Sequence, residues 1–159
     1  MSEKLLLLER SVETDLAAIE KLHDALRDAA PRVADSQEAL IVAAYRLHNL
    51  YNAYENVFQA IAAAFENEVD PDAGWHSQLL QRMRLDLHPV RPAVIDESAY
   101  EALDELRRFR HLFRSAYGIE LDGERLALVH RKAVKLREVF PPQVETFLEF
   151  VRGLRQSES

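Results

Sequence analysis

Eleven residues, Arg107-Arg108-Phe109-Arg110-His111-Leu112-Phe113-Arg114-Ser115-Ala116-Tyr117, place four arginines, a histidine and a tyrosine within about three helical turns. These are side chains that handle anions. A guanidinium grips phosphate through paired N–H donors, and an imidazole exchanges protons near neutral pH. Between Glu105 and Arg137 nine Lys or Arg residues stand against four acids, a local excess of +5 in a chain whose formal net charge is −7. The rest of the chain therefore sums to −12. A focused basic strip in such a chain permits a nucleotide or nucleic-acid site without demanding one.

On a helix with Leu106 facing the core, Ala102, Phe109 and Phe113 share its stripe. Arg110 and Tyr117 then sit on the shoulder of that stripe, and Arg114, Arg107 and His111 continue along one flank, while Arg108 points away. A shoulder arginine is partly desolvated, which strengthens its charge-assisted hydrogen bonds. His111 is therefore the best acid/base candidate. Arg110 and Arg114 are candidate phosphate clamps, with Arg107 as a second clamp or orienting group. The plain alternative is that these arginines pair with the abundant acids and join helices or subunits.

The elements that must carry this flank are helical throughout. Apolar residues recur three and four apart, and no alternating run rich in β-branched residues is bounded by turn signals. A chain of 159 residues, 48% hydrophobic, with 4 Gly and 6 Pro, suits one compact all-α domain over 1–159 with a polar tail from about 156. The first helix is expected over Ser2 to Asp28, with Leu8, Val12, Leu16, Ile19, Leu22 and Leu26 on one stripe and Pro31 ending it. Asp35 with Glu38 reads as a capping box for a second helix to about Glu66, buried through Leu47, Leu50, Tyr54, Val57, Phe58, Ile61 and Phe65. A third begins near Trp75 and ends before His88-Pro89, and Pro89 to Ile95 is expected to be extended. Asp96 caps the fourth, which ends at Gly118; Asp122 caps the fifth; Pro141-Pro142 are expected to separate it from a short sixth. The fold class is an up-and-down helical bundle of five to six helices. No cysteine is present, which removes thiolate chemistry and is compatible with a cytoplasmic home. No apolar run is long enough for a membrane span, and Leu5 to Leu8 lacks the flanks of a signal peptide.

The run Tyr51-Asn52-Ala53-Tyr54-Glu55-Asn56-Val57-Phe58, then Trp75 to Met83, then Arg91-Pro92, then Phe109 to Tyr117 and Glu120-Leu121-Asp122, resembles the HepT-like branch of the HEPN families. The resemblance implies an α-helical bundle, usually a homodimer. It also implies a metal-independent endoribonuclease, a toxin paired with a nucleotidyltransferase-like (MNT) antitoxin, with RNA as substrate and no cofactor. The HEPN signature separates an Arg from a His by four to six residues, and HepT-type toxins add a Tyr two places after the His. Here three residues lie between Arg107 and His111, and Phe113 stands two places after His111. Arg125 and His130 have the literal spacing but fall about 140° apart on a helix, and the match reads as accidental. Tyr117 shares the flank and is a candidate modification target or substrate contact in place of the absent tyrosine.

Metal-free RNA cleavage removes a 2′-OH proton, stabilises extra charge on phosphorus and protonates the leaving oxygen. One His supplies one proton-transfer partner, so a twofold dimer would supply the second. The other reading is a non-catalytic HEPN module that binds a nucleotidyltransferase partner or nucleotide. Glu20-x-x-His23 has the spacing of half a di-metal site without its other half. His48, Tyr51 and Glu55 share a flank of the second helix that could line the same cleft but reads first as a polar face, and Trp75-His76 reads as a packing anchor. No glycine-rich phosphate loop, zinc motif or serine-nucleophile context is present.

Overall fold

Spacings of three and four give each helix one face that must leave water, and in the computed structural model these faces meet in one core. The structure describes residues 2–32, 36–66, 74–115 and 120–158, with backbone alone at 112, 114 and 115. Among the described residues there are five helices: α1 Ser2–Asp28, α2 Gln37–Phe65, α3 Trp75–Met83, α4 Glu97–Ser115 and α5 Gly123–Ser157. Helix α2 is the hub and packs against all four others. Its Leu47, Leu50, Tyr54, Val57, Phe58 and Ile61 are buried, with Phe65 packed at the margin. Helix α1 buries Leu8, Val12, Ile19 and Leu26, and adds Leu5, while Leu16 and Leu22 stay partly exposed. No helix is long and apolar enough to cross a membrane among the described residues.

The helix starts follow local chemistry. Ser36 caps α2, its Oγ accepting from Ala39 N at 3.3 Å, one residue after the expected Asp35, which lies outside the described residues. Gly74, at the N-cap of α3, has φ 92°, a left-handed conformation that costs glycine little. Asp96 Oδ1 accepts from Ala99 N at 2.9 Å ahead of α4, and Asp122 Oδ1 accepts from Glu124 N at 3.0 Å ahead of α5. The expected stop of α4 at Gly118 falls outside the described residues.

Two expectations need correction. Pro141 and Pro142 do not divide α5, which runs unbroken to Ser157, so there is no separate sixth helix among the described residues. Each proline removes one i to i−4 hydrogen bond, at a cost of about 3 kcal/mol in a helix interior. Both prolines are exposed, so the carbonyls they leave free, on Arg137 and Glu138, lie on the outer side, where water can serve them. Phe140, Val144 and Phe147 around them are buried. That burial holds both halves of the helix on one core.

The second correction is the segment from Pro89 to Ile95, which turns back instead of extending. Leu87 and Arg91 exchange backbone hydrogen bonds of 2.9 and 3.2 Å, and Val94 N and Ile95 N both donate to Met83 O. The cause is Arg91, 1% exposed. Its Nε and Nη2 donate to the two carboxylate oxygens of Glu66, each at 3.0 Å; Nη1 donates to Leu85 O and Pro92 O, and Nη2 also to Arg82 O. All five N–H donors of the guanidinium are thereby met, and the chain must curl to bring three carbonyls around it.

Between α1 and α2, His23 is 4% exposed and its Nε2 lies 2.8 Å from Tyr54 Oη. Glu20 and Asp24 on the same helix are held by Arg137 of α5 at 2.8 and 2.7 Å. The Glu20/His23 spacing is thus used for helix packing. Burial, and secondarily the Arg137 charge, push the His23 imidazole down to about 4.

Two outcomes follow from these buried groups. Glu66→Ala strands the Arg91 charge in the core and is expected to destabilise the fold by about 3–5 kcal/mol, read from the shift in urea midpoint. His23 is held neutral in the fold, so its contribution is full above its unfolded pKa of about 6.5 and is lost as the pH falls through about 4. His23→Gln keeps a partner for Tyr54 without titrating. It is expected to lose less stability than the parent between pH 7 and pH 4.5 in parallel urea titrations; equal losses would refute the assignment.

Candidate functional site

Helices α2 and α4 cross the molecule side by side in opposite directions. The His48 and Phe113 rings meet at 5.7 Å between centroids, and one turn away on each helix Arg110 Nε donates to Asn52 Oδ1 at 2.5 Å. Ala102, Leu106 and Phe109 are buried and Phe113 is partly so, as the helical stripe requires. This burial turns Arg107 and Arg110 into half-covered positions and leaves His111 exposed.

One acid dominates the basic flank. Asp104, 8% exposed, takes Arg107 Nε on Oδ1 at 2.9 Å and Arg108 Nη2 on Oδ2 at 2.6 Å. Burial alone would raise the Asp104 carboxyl, but hydrogen bonds and charge from Arg108 and Arg107 outweigh it and hold it below the usual carboxylate range. Arg107 is therefore already paired. Arg108, read from the sequence as plain surface, is exposed but held by the same carboxylate. His111 makes no hydrogen bond to any described residue, so nothing described orients its ring. Nothing is described of the Arg114 side chain, and Tyr117 lies outside the described residues.

A second polar group gathers where α2 meets α3. Glu55, 5% exposed, lies 2.8 and 2.7 Å from His76 Nδ1 through its two carboxylate oxygens. His76 keeps 27% of its side chain exposed, and the Trp75 ring lies against it at 3.8 Å between centroids. Trp75 is thus the packing anchor the sequence suggests, but His76 is a polar partner. One turn before Glu55, Tyr51 is wholly buried, and its hydroxyl, set toward the Glu55 carboxylate, makes no hydrogen bond of good geometry among the described residues. Burial, then the Glu55 charge, push that hydroxyl well above the usual tyrosine range, while Arg107 and Arg110 act in the opposite sense. The Tyr51 hydroxyl therefore lies within the fields of both groups.

The site so built has a basic flank on α4, Tyr51, Asn52 and Glu55 on α2, and His76 on α3. Arg107, Arg110 and His111 were legible as one flank. Glu55 and Tyr51 stood on a flank that could line the same cleft, while Asn52, Asp104 and the partnership of Glu55 with His76 were not assigned. Asp104 stands three and four residues before Arg107 and Arg108, a spacing that itself signals pairing on a helix. No local spacing links Glu55 to His76. Among the described residues no group of three His, Asp or Glu side chains could hold a metal ion.

A family model described as HepT-like protein matches residues 42–151, which include every element of this site. No curated protein and no solved structure matches the chain.

Asp104 acts as an internal counterion for the flank. Asp104→Asn is expected to release Arg107 and Arg108 toward outside anions, so that the protein elutes from heparin at higher salt, with the log-affinity against log-salt slope steeper by about 1. Unchanged elution would show that Asp104 does not restrain them.

Proposed function

The chain belongs to the HepT-like protein family, and on that premise we propose that it is a metal-independent endoribonuclease toxin acting at the α4 flank. The observation that carries this reading is the convergence of Arg107, Arg110 and exposed His111 on one side of α4, against the polar face of α2. His111 exchanges a proton with the reacting ribose or the leaving oxygen. Arg110, held by Asn52, and Arg107, released from Asp104 by a competing phosphate, stabilise the charge that grows on phosphorus. Arg114 joins them as a further clamp. The products are a 2′,3′-cyclic phosphate and a 5′-hydroxyl.

The partners in this reading are a second copy of the chain and an MNT-type nucleotidyltransferase antitoxin, with the reaction in the cytoplasm. Ile41, Val42 and Tyr45 are exposed on α2, beside the Phe113 end of α4, and give a second copy an apolar face to cover. A second reading is favoured by the pairing of Asp104 with both Arg107 and Arg108. A flank neutralised from within suits a non-catalytic module that binds a nucleotidyltransferase partner or nucleotide.

Incubation of the purified protein with structured RNA, tRNA included, in excess EDTA separates the two. The nuclease reading expects cleavage with cyclic phosphate ends and a loss of about 10²-fold or more in His111→Ala. Absence of cleavage, or equal cleavage by His111→Ala, would remove His111 from the chemistry and favour the module.

A further inference from the structure

Glu55 is a buried carboxylate bound to a half-exposed imidazole, and the pairing determines what that imidazole can do. A carboxylate only accepts, so Nδ1 of His76, at 2.7 and 2.8 Å from the two Glu55 oxygens, must carry a proton. When His76 is neutral, its Nε2 then holds the free lone pair. Nε2 bonds no described residue and is not enclosed, since it is not among the buried unpaired atoms. The Trp75 ring at 3.8 Å limits rotation of the imidazole. His76 is therefore an oriented base, whereas no described residue orients His111.

We propose that His76, oriented by Glu55, is the second proton-transfer group of the RNA-cleaving site, serving as general base with His111 as general acid. The inference rests on the nuclease reading and deepens it. Nε2 of neutral His76 takes the 2′-OH proton, and the 2′-oxygen forms a bond to phosphorus. The bond from phosphorus to the 5′-oxygen breaks, and protonated His111 gives its proton to that oxygen. Charge on phosphorus is met by Arg107 and by Arg110, which is anchored on Asn52, three residues before Glu55 on the same helix. His76 ends protonated and His111 neutral, and exchange with solvent restores both. One chain then holds both imidazoles, and the second need not come from another copy.

The test compares wild type, His76→Asn and His111→Ala on an RNA with an ordinary linkage and on the same RNA with a bridging 5′-sulfur at the scissile bond. Sulfur leaves as thiolate without an acid, so loss of the general acid is rescued there and loss of the base is not. His76→Asn places an amide N–H where Nδ1–H stood, so Glu55 keeps a partner and the fold is retained. The proposal expects a loss of about 10²-fold or more in both variants on the ordinary linkage. On the sulfur linkage His111→Ala recovers and His76→Asn does not. Glu55→Gln, which weakens orientation of the ring and leaves both imidazoles, should fall between wild type and His76→Asn. If wild type cleaves and His76→Asn cleaves equally well, or is rescued by sulfur, His76 is not the base while the nuclease reading stands. Failure of wild type to cleave either RNA overturns both.

Discussion

A buried guanidinium sets the frame of this protein. Arg91 cannot shed its charge, so its place in the core requires a carboxylate and three carbonyls arranged around it. Glu66 supplies the carboxylate from the end of α2, and Arg82, Leu85 and Pro92 supply the carbonyls. The same contacts tie the C-terminal end of α3 to α2 and fix where the chain departs for α4. Glu55 and Glu66 are eleven residues apart, which returns to nearly the same face of a helix after about 16 Å. Helix α3, of 9 residues, spans about 13 Å. It therefore lies between two carboxylates, with His76 on Glu55 at one end and the Arg91 clamp on Glu66 at the other.

That arrangement decides which charges are available. The chain is acidic overall, yet among the described residues the acid that holds both Arg107 and Arg108 is Asp104, on the same helix. Asp104 is covered enough that its attraction for Arg107 and Arg108 is not fully screened. A phosphate arriving at the proposed site would compete with Asp104 for Arg107 but would meet Arg110 bonded, among the described residues, to a neutral amide, Asn52. Arg110 is thus the stronger first contact for an anion, and Arg107 the one that must be won.

Much of the fold was legible because it rests on periodicity. The stripes of α1 and α2, and the caps at Asp96 and Asp122, follow from spacing within one turn. The Pro141-Pro142 expectation failed because propensity is local, whereas Phe140, Val144 and Phe147 are held by the whole core. The Pro89–Ile95 segment could not be read because its turns serve a charge buried by residues 25 positions away. In the site, Arg107, Arg110 and His111 shared a visible helical face. Glu55 and His76 are 21 positions apart, on different helices, and only the packing of α3 on α2 joins them.

Tyr51 and Tyr54 differ in how their buried hydroxyls are met. They are consecutive tyrosines on the inner face of α2, with 0% and 1% exposure. The Tyr54 hydroxyl is matched by His23, while the Tyr51 hydroxyl makes no hydrogen bond of good geometry among the described residues and is set toward the Glu55 carboxylate, which acts on it by hydrogen bonding as well as by charge. An unmatched buried hydroxyl costs about 1–3 kcal/mol, and a phenylalanine would fill the same volume without that cost. Packing therefore accounts for the ring of Tyr51 and not for its oxygen. That oxygen lies within the fields of Glu55, Arg107 and Arg110. Its neighbours are the groups of the proposed site, so a polar role there would account for an oxygen that packing does not need.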